Sequence, residues 1–121
     1  MTRTIYIVED DPAVRDSLGD LFELNGLPVE AFASGEDFLE HVRGDAAACI
    51  IMDVNLPGRD GIQTLKLLRE KGVLTPAIVV TGVLHEHIIR AAKDLGVVAS
   101  FEKPVSPGAL LAAVEGLSPT L

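Results

Sequence analysis

Five short apolar segments, rich in β-branched residues, recur along the chain. Each is four to six residues long, as expected for a buried strand of a parallel sheet. They span residues 4–8, 27–32, 49–52, 77–80 and 97–101. Between these segments, apolar side chains recur three and four positions apart, which predicts amphipathic helices. The first such set is Val14, Leu18, Leu21 and Phe22, and the last is Leu110, Leu111, Val114 and Leu117.

Residues that start and end helices fall where this alternation needs them. Capping residues and first-turn prolines are expected at helix starts, and glycines just after helix ends. The starts are Asp11-Pro12, Ser34, Asp60 and Ser106-Pro107, and the ends are Gly26, Gly44, Gly72 and Gly96. The pattern predicts an α/β fold with a doubly wound five-stranded parallel sheet. Right-handed crossovers bring the carboxyl ends of all strands to one edge, where we expect a functional site.

Composition and charge narrow the class of protein. A chain of 121 residues with 48% hydrophobic residues suits one domain, 1–121, ending in a short tail at 118–121. Ten basic against eighteen acidic residues give a net charge of −8, which argues against direct nucleic-acid binding. The longest apolar run, residues 46–52, is too short to span a bilayer, and no charged-then-apolar leader opens the chain. We therefore expect a cytoplasmic protein without membrane contact.

Polar residues that carry chemistry follow the predicted strands. They are Glu9 and Asp10, Asp53, Thr81 and Lys103. Carboxylates brought together repel one another unless cations neutralise them. Lys103 is one such cation, and Mg²⁺, which takes oxygen ligands, is the natural second. A carboxylate beside a metal can attack a phosphoryl group and form an acyl phosphate, so the set predicts phosphoryl chemistry.

Four motifs in this order carry a resemblance that covers essentially the whole chain. They are Val8-Glu9-Asp10-Asp11, the run from Met52 to Gly61, Val80-Thr81-Gly82, and Glu102-Lys103-Pro104. The chain resembles the receiver domains of two-component response regulators. The resemblance implies a flavodoxin-like (βα)₅ fold with strand order 2-1-3-4-5. It also implies a phosphorylation switch that catalyses its own phosphorylation and dephosphorylation and acts on no external metabolite.

The resemblance also implies a role for each site residue. Asp53 would be the phosphoacceptor, Thr81 would bind a phosphoryl oxygen, and Lys103 would form the ion pair with it. Mg²⁺ would be bound by Asp10, by Asp53 and by the backbone carbonyl of Asn55, with Glu9 acting through water. The Lys103-Pro104 peptide would be cis. The phosphoryl donor would be a sensor histidine kinase or a phosphotransfer protein.

Two features depart from the family pattern or add to it. Ser100 stands where the family usually has an aromatic switch residue, and Phe101, the next residue, should face the core by strand alternation. In the final predicted helix, residues 107–117, Glu115 is the one charged residue. We interpret the surplus of apolar residues at 110–114 as a contact surface. Output would then pass through residues 82–84 to a surface at 84–117 that binds a downstream protein or a second copy.

The histidines and the cysteine have ordinary structural explanations, and two other functions compete with the phosphorylation switch. Helical spacing separates His85 from His87, so both are expected to be ordinary surface residues, and Cys49 is expected to pack in the core. A phosphate-independent interaction scaffold stays open because of Ser100. A Mg²⁺-dependent phosphohydrolase with Asp53 as nucleophile ranks lower, since similar dehalogenase-type enzymes need an acid where Asn55 stands. The chain could be a single-domain regulator or an excised receiver.

Overall fold

The computed structural model describes residues 4–42 and 47–117, in which five strands and five helices alternate. The elements are β1 (Thr4–Val8), α1 (Pro12–Leu24), β2 (Val29–Phe32), α2 (Gly35–His41), β3 (Ala47–Asp53), α3 (Gly61–Glu70), β4 (Ala77–Thr81), α4 (Glu86–Asp94), β5 (Val97–Glu102) and α5 (Pro107–Glu115). All strand pairs are parallel and the order is β2-β1-β3-β4-β5, as predicted. The predicted helix end at Gly44 and the tail 118–121 lie outside the described residues.

The elements β2, β3, β4, β5 and α5 each begin or end at a different residue from the predicted one. β2 begins at Val29, because Leu27 donates its N–H to the Phe22 carbonyl at the end of α1 and Pro28 has no N–H to donate. β3 extends to Asp53, which pairs with Val80 of β4. α5 ends two residues before the predicted position 117. The last residue of β3 is therefore a polar one, held in the sheet.

The predicted capping residues are confirmed. Asp11 accepts hydrogen bonds from the N–H groups of Ala13 and Val14 at the start of α1. Asp60 and Gln63 form a reciprocal capping box at the start of α3. The Lys103-Pro104 peptide is cis. These fixed helix starts set where the loops at the carboxyl edge of the sheet begin and end.

The core forms two layers, one on each face of the sheet. On the face covered by α2, α3 and α4, the rings of Tyr6, Phe32 and Phe38 pack edge to face. On the face covered by α1 and α5, Phe22 packs against buried aliphatic side chains. Cys49 belongs to this second layer, and burial raises the pKa of its thiol to about 12. Cys49 therefore acts as a small core residue, as predicted.

The prediction that residues 110–114 of α5 form a contact surface was wrong at Leu110 and Val114. Leu110 and Val114 are fully buried in the layer under α1 and α5, so they cannot contact a partner. Phe101 is half-buried and packs on the same layer, as expected. Exposed large apolar side chains lie instead at Ile89 on α4 and Val98 on β5. Among the described residues, no helix is both long and apolar enough to cross a bilayer.

Gly61 lets α3 start directly against the end of β3. Its N–H donates to the Val54 carbonyl at 3.0 Å. A side chain at this position would overlap the backbone carbonyl of Asp53. Gly19 of α1 differs, because a Cβ there would make only ordinary contact with Val29, at 3.8 Å.

Gly61→Ala should therefore lower the free energy of unfolding by about 1–3 kcal/mol, the usual cost of overpacking. The matched control Gly19→Ala should raise it by about 0.5–1 kcal/mol, because alanine stabilises a helix interior relative to glycine. Urea unfolding followed by circular dichroism measures both. Equal effects of the two substitutions would contradict the close approach of Gly61 to Asp53.

Candidate functional site

One lysine joins two buried carboxylates at the carboxyl edge of the sheet. The Lys103 ammonium lies 2.9 Å from Glu9 Oε1 and 3.1 Å from Asp53 Oδ2. The side chains of Glu9 and Asp53 are only 1% and 2% exposed, whereas that of Lys103 is 29% exposed. Glu9 follows β1, Asp53 ends β3 and Lys103 follows β5. The predicted convergence of these strand ends is confirmed.

Burial and ion pairing have opposite effects on the pKa values of Glu9 and Lys103. Burial raises the pKa of Glu9, and the hydrogen bond from Lys103 only partly offsets this. Burial alone would lower the pKa of Lys103, but its hydrogen bonds to Glu9 and Asp53, with their negative charges, raise it overall. The lysine therefore stays charged while it shares its proton donors between the two acids.

Backbone contacts fix the direction of the acids. Glu9 Oε2 accepts from the N–H of Asp11 at 3.1 Å, and Asp53 Oδ1 accepts from the N–H of Asn55 at 2.9 Å. The Arg15 guanidinium donates to the backbone carbonyls of Glu9, at 2.9 Å, and of Asp10, at 3.3 Å. Arg15 was not among the predicted site residues, although its position one turn into α1 is a signal for such a contact.

The acids fit a hard divalent cation. Glu9, Asp10 and Asp53 each offer a carboxylate oxygen, and these oxygens all lie within 4.8 Å of one another. Asp10 is exposed, while both oxygens of Glu9 already accept hydrogen bonds. An all-oxygen donor set of this kind suits Mg²⁺, which keeps part of its water shell.

Thr81 lies at the same edge of the sheet, but its hydroxyl donates to Asn55 rather than to the acids. Thr81 is buried, and its Oγ1 donates to the side-chain oxygen of Asn55 at 2.9 Å. The N–H of Gly82 donates to the same oxygen at 3.0 Å. These hydrogen bonds of the Asn55 side chain were not predicted. Its side chain ties the end of β4 to the loop after β3.

His85 and His87 stack on each other, contrary to the prediction from helical spacing. Their ring centroids are 5.3 Å apart and the rings are nearly parallel, at 16°. The reason is that His85 is the N-cap of α4 and has an extended backbone, so the two residues are not both helical. Both are exposed, as predicted for surface histidines.

The family comparison agrees with this geometry. The model of the response regulator receiver domain matches residues 5–115. The chain belongs to the response regulator receiver family. This is a signalling family, and the general function of its domains is that of a phosphoryl-accepting switch in two-component systems.

Relatives of this receiver are longer proteins. The transcriptional regulatory protein FixJ of Bradyrhizobium diazoefficiens is 35% identical over 111 residues, which are 92% of this chain and 54% of FixJ. The response regulator protein TodT of Pseudomonas putida is 38% identical over 112 residues, which are 91% of this chain and 48% of TodT. This receiver thus spans about half the length of these relatives.

The fold comparison gives the same family. A solved CheY-like response regulator receiver domain protein from Methanospirillum hungatei JF-1 superposes on this receiver with a TM-score of 0.90. The two are 28% identical, and the match covers 98% of this chain and 96% of the other. The predicted fold class and family are both confirmed.

The raised pKa of Glu9 predicts a pH-dependent difference in stability. The folded state keeps this proton at pH values where the unfolded chain has lost it, so the contribution of Glu9 to stability falls as pH rises from 4.5 to the raised pKa. Without metal, Glu9→Gln should therefore become more stable relative to the parent receiver across that range. Urea unfolding at successive pH values measures the difference.

The control is a substitution that removes no titratable group, Ser17→Ala on the exposed surface of α1. Its difference from the parent receiver should stay constant over the same pH range. A constant difference for Glu9→Gln as well would contradict the assignment of a costly buried charge to Glu9.

Proposed function

We propose that this receiver accepts a phosphoryl group on Asp53 from a sensor histidine kinase or a phosphotransfer protein, with Mg²⁺ as cofactor. The observation that carries the proposal is the Lys103 ammonium, 3.1 Å from the Asp53 carboxylate and bonded also to Glu9. A buried acid with a fixed cation beside it and further oxygen ligands around it suits a phosphoacceptor. Phosphorylation then changes protein contacts.

The transfer forms one bond and breaks one. A carboxylate oxygen of Asp53 attacks the phosphorus of a phosphohistidine, the new O–P bond forms, and the P–N bond breaks with its electron pair returning to the imidazole. Lys103 stabilises the charge on the phosphoryl oxygens. Asp10, Asp53 and the Asn55 carbonyl would hold Mg²⁺, with Glu9 acting through water, and the ion when bound neutralises those oxygens. Attack of water on the same phosphorus later breaks this O–P bond, releases inorganic phosphate and restores the Asp53 carboxylate.

The position of an apolar groove supports delivery of the phosphoryl group by a protein. The groove lies between α1 and α5, has a volume of about 560 Å³, and is lined by Val14, Leu18 and Leu21 among others. It reaches Glu9 and Lys103 at the site. A donor protein that packs an apolar surface here would present its histidine beside Asp53, so we assign this groove to the phosphodonor.

Output would pass from Thr81 to the surface at 84–117. A phosphoryl oxygen on Asp53 offers the Thr81 hydroxyl a charged acceptor in place of Asn55. Movement of Thr81 draws the following loop and the start of α4 with it. Ile89 and Val98, exposed by 43% and 50%, supply apolar contact on this surface for a downstream protein or a second copy.

The interaction scaffold is the second candidate. Ser100 favours it, because this half-buried residue has no ring that could report the position of Thr81. A phosphate-independent scaffold would bind its partner equally before and after treatment with a phosphodonor. The phosphohydrolase is not proposed, because the Asn55 side chain is neutral and already accepts two hydrogen bonds.

Acetyl phosphate with Mg²⁺ should add one phosphoryl group, seen as one increment in intact mass, and Asp53→Asn should abolish the addition. Asp20→Asn, on the exposed surface of α1, is the matched control and should still be labelled. Labelling of Asp53→Asn at the parent level would refute Asp53 as the phosphoacceptor.

Mg²⁺ should bind this receiver and raise its melting temperature, because a cation relieves repulsion among the three carboxylates. Asp10→Asn should weaken binding at least about tenfold, since it removes a charged ligand. Asp16→Asn, an exposed position on α1, is the control. Calorimetric titration that finds the parent affinity in Asp10→Asn would exclude Asp10 as a ligand.

Beryllofluoride, which stands in for the phosphoryl group on Asp53, should increase binding through the 84–117 surface. Sedimentation velocity tests a second copy as the partner, and Val98→Glu should reduce any association. Leu24→Glu, at an exposed position on α1, is the control. Amide exchange that changes only in α1 and α2, with α4 unaffected, would contradict this output route.

A further inference from the structure

The loop between β4 and α4, residues 82–85, is bonded to side chains from two other parts of the fold. At its start, the Gly82 N–H donates to Asn55, as described above. At its centre, the Leu84 N–H donates to the carboxylate oxygen Oε2 of Glu102 at 2.8 Å. Glu102 is the last residue of β5. The loop is thus attached directly to the strand that leads to Lys103.

The end of β5 contacts the site and the loop through neighbouring residues. Thr81 pairs with Glu102 in the sheet, and the Lys103 N–H donates to the Thr81 carbonyl at 2.8 Å. The Lys103 side chain donates hydrogen bonds to Glu9 and Asp53. The Glu102 side chain bonds instead to the amide of Leu84. Two consecutive side chains therefore hold Asp53 and the loop at the same time.

Movement of Thr81 conflicts with the bond at Leu84. Thr81 and Leu84 are three residues apart, and the intervening carbonyl of Val83 is itself close to the Thr81 hydroxyl, at 3.2 Å. When the Thr81 hydroxyl turns to a phosphoryl oxygen on Asp53, it gives up its contact with the Val83 carbonyl, and the loop follows it toward Asp53 while the backbone of Glu102 stays in the sheet. The hydrogen bond between Leu84 and Glu102 must then lengthen or break.

We infer that Glu102 acts as a latch: its hydrogen bond to the Leu84 N–H holds the β4–α4 loop in the resting position, and this bond breaks when Thr81 binds the phosphoryl group. This rests on the proposed phosphorylation of Asp53. Glu102 is a positioning residue, since its carboxylate bonds to the loop rather than to the reacting atoms. Its side chain is exposed, so water can replace the lost bond. The latch therefore favours the resting loop only about three- to tenfold, a bias that phosphorylation can overcome.

Amide exchange of the Leu84 N–H, followed by NMR, tests the latch. In the unphosphorylated receiver, Glu102→Ala should speed this exchange about three- to tenfold, because the acceptor is lost. Glu102→Gln keeps an acceptor oxygen without the charge, so its rate should fall between those of the parent and of Glu102→Ala. The Val79 amide within β4 serves as the internal reference and should not change. With beryllofluoride and Mg²⁺, the parent rate at Leu84 should rise toward that of Glu102→Ala.

Three results would overturn the latch. They are an unchanged Leu84 rate in Glu102→Ala, equal rates in the alanine and glutamine variants, and a parent rate that beryllofluoride leaves unaltered although acetyl phosphate labels the chain. Failure of labelling would instead remove the proposed function. The comparison of unphosphorylated variants tests the latch in either case.

Discussion

A single ammonium group shared by two buried carboxylates is the interaction on which the site depends. Glu9 and Asp53 are almost fully buried, and unpaired charges in such positions are strongly unfavourable. Lys103 compensates both. This requires β1, β3 and β5 to end at the same edge, which the order β2-β1-β3-β4-β5 provides. The parallel alternation of strands and helices therefore places a buried acid, Asp53, directly beside a fixed cation, Lys103.

The hydrogen bonds around Thr81 connect this cluster with the surface. The Thr81 hydroxyl has one proton, and in the resting receiver Asn55 is its nearer acceptor. A phosphoryl oxygen offers a charged alternative, and such hydrogen bonds are stronger than neutral ones. Under the proposed function, the exchange of one acceptor for another would supply a modest bias, as expected for a switch whose two states are both populated. Ser100 offers no aromatic ring here, so in the proposed mechanism the contact between Leu84 and Glu102 would couple Thr81 to the loop.

Local patterns predicted the alternation of strands and helices and the meeting of the strand-end acids with Lys103, but not the other side-chain contacts at this edge. Strands, caps and strand-end acids follow from neighbouring residues, whereas the strand order was implied by the family resemblance. The side-chain bonds of Asn55 and Glu102 join positions 26 and 18 residues apart and depend on the registers of the strands. Apolar content alone did not show that Leu110 and Val114 are buried while Ile89 is exposed. The stacking of His85 on His87 depends on where α4 begins.

The free energy of unfolding of Lys103→Met in metal-free buffer at neutral pH tests the shared ammonium most directly. Methionine keeps most of the apolar stem and removes the charge. The substitution should lower stability by about 3 kcal/mol, the lower end of the range for breaking a buried ion pair, because two buried carboxylates lose their partner but Lys103 is 29% exposed. Adding Asp53→Asn to the same chain should restore much of the loss by removing one of those charges. A Lys103→Met variant as stable as the parent receiver would contradict the dependence of the site on this interaction.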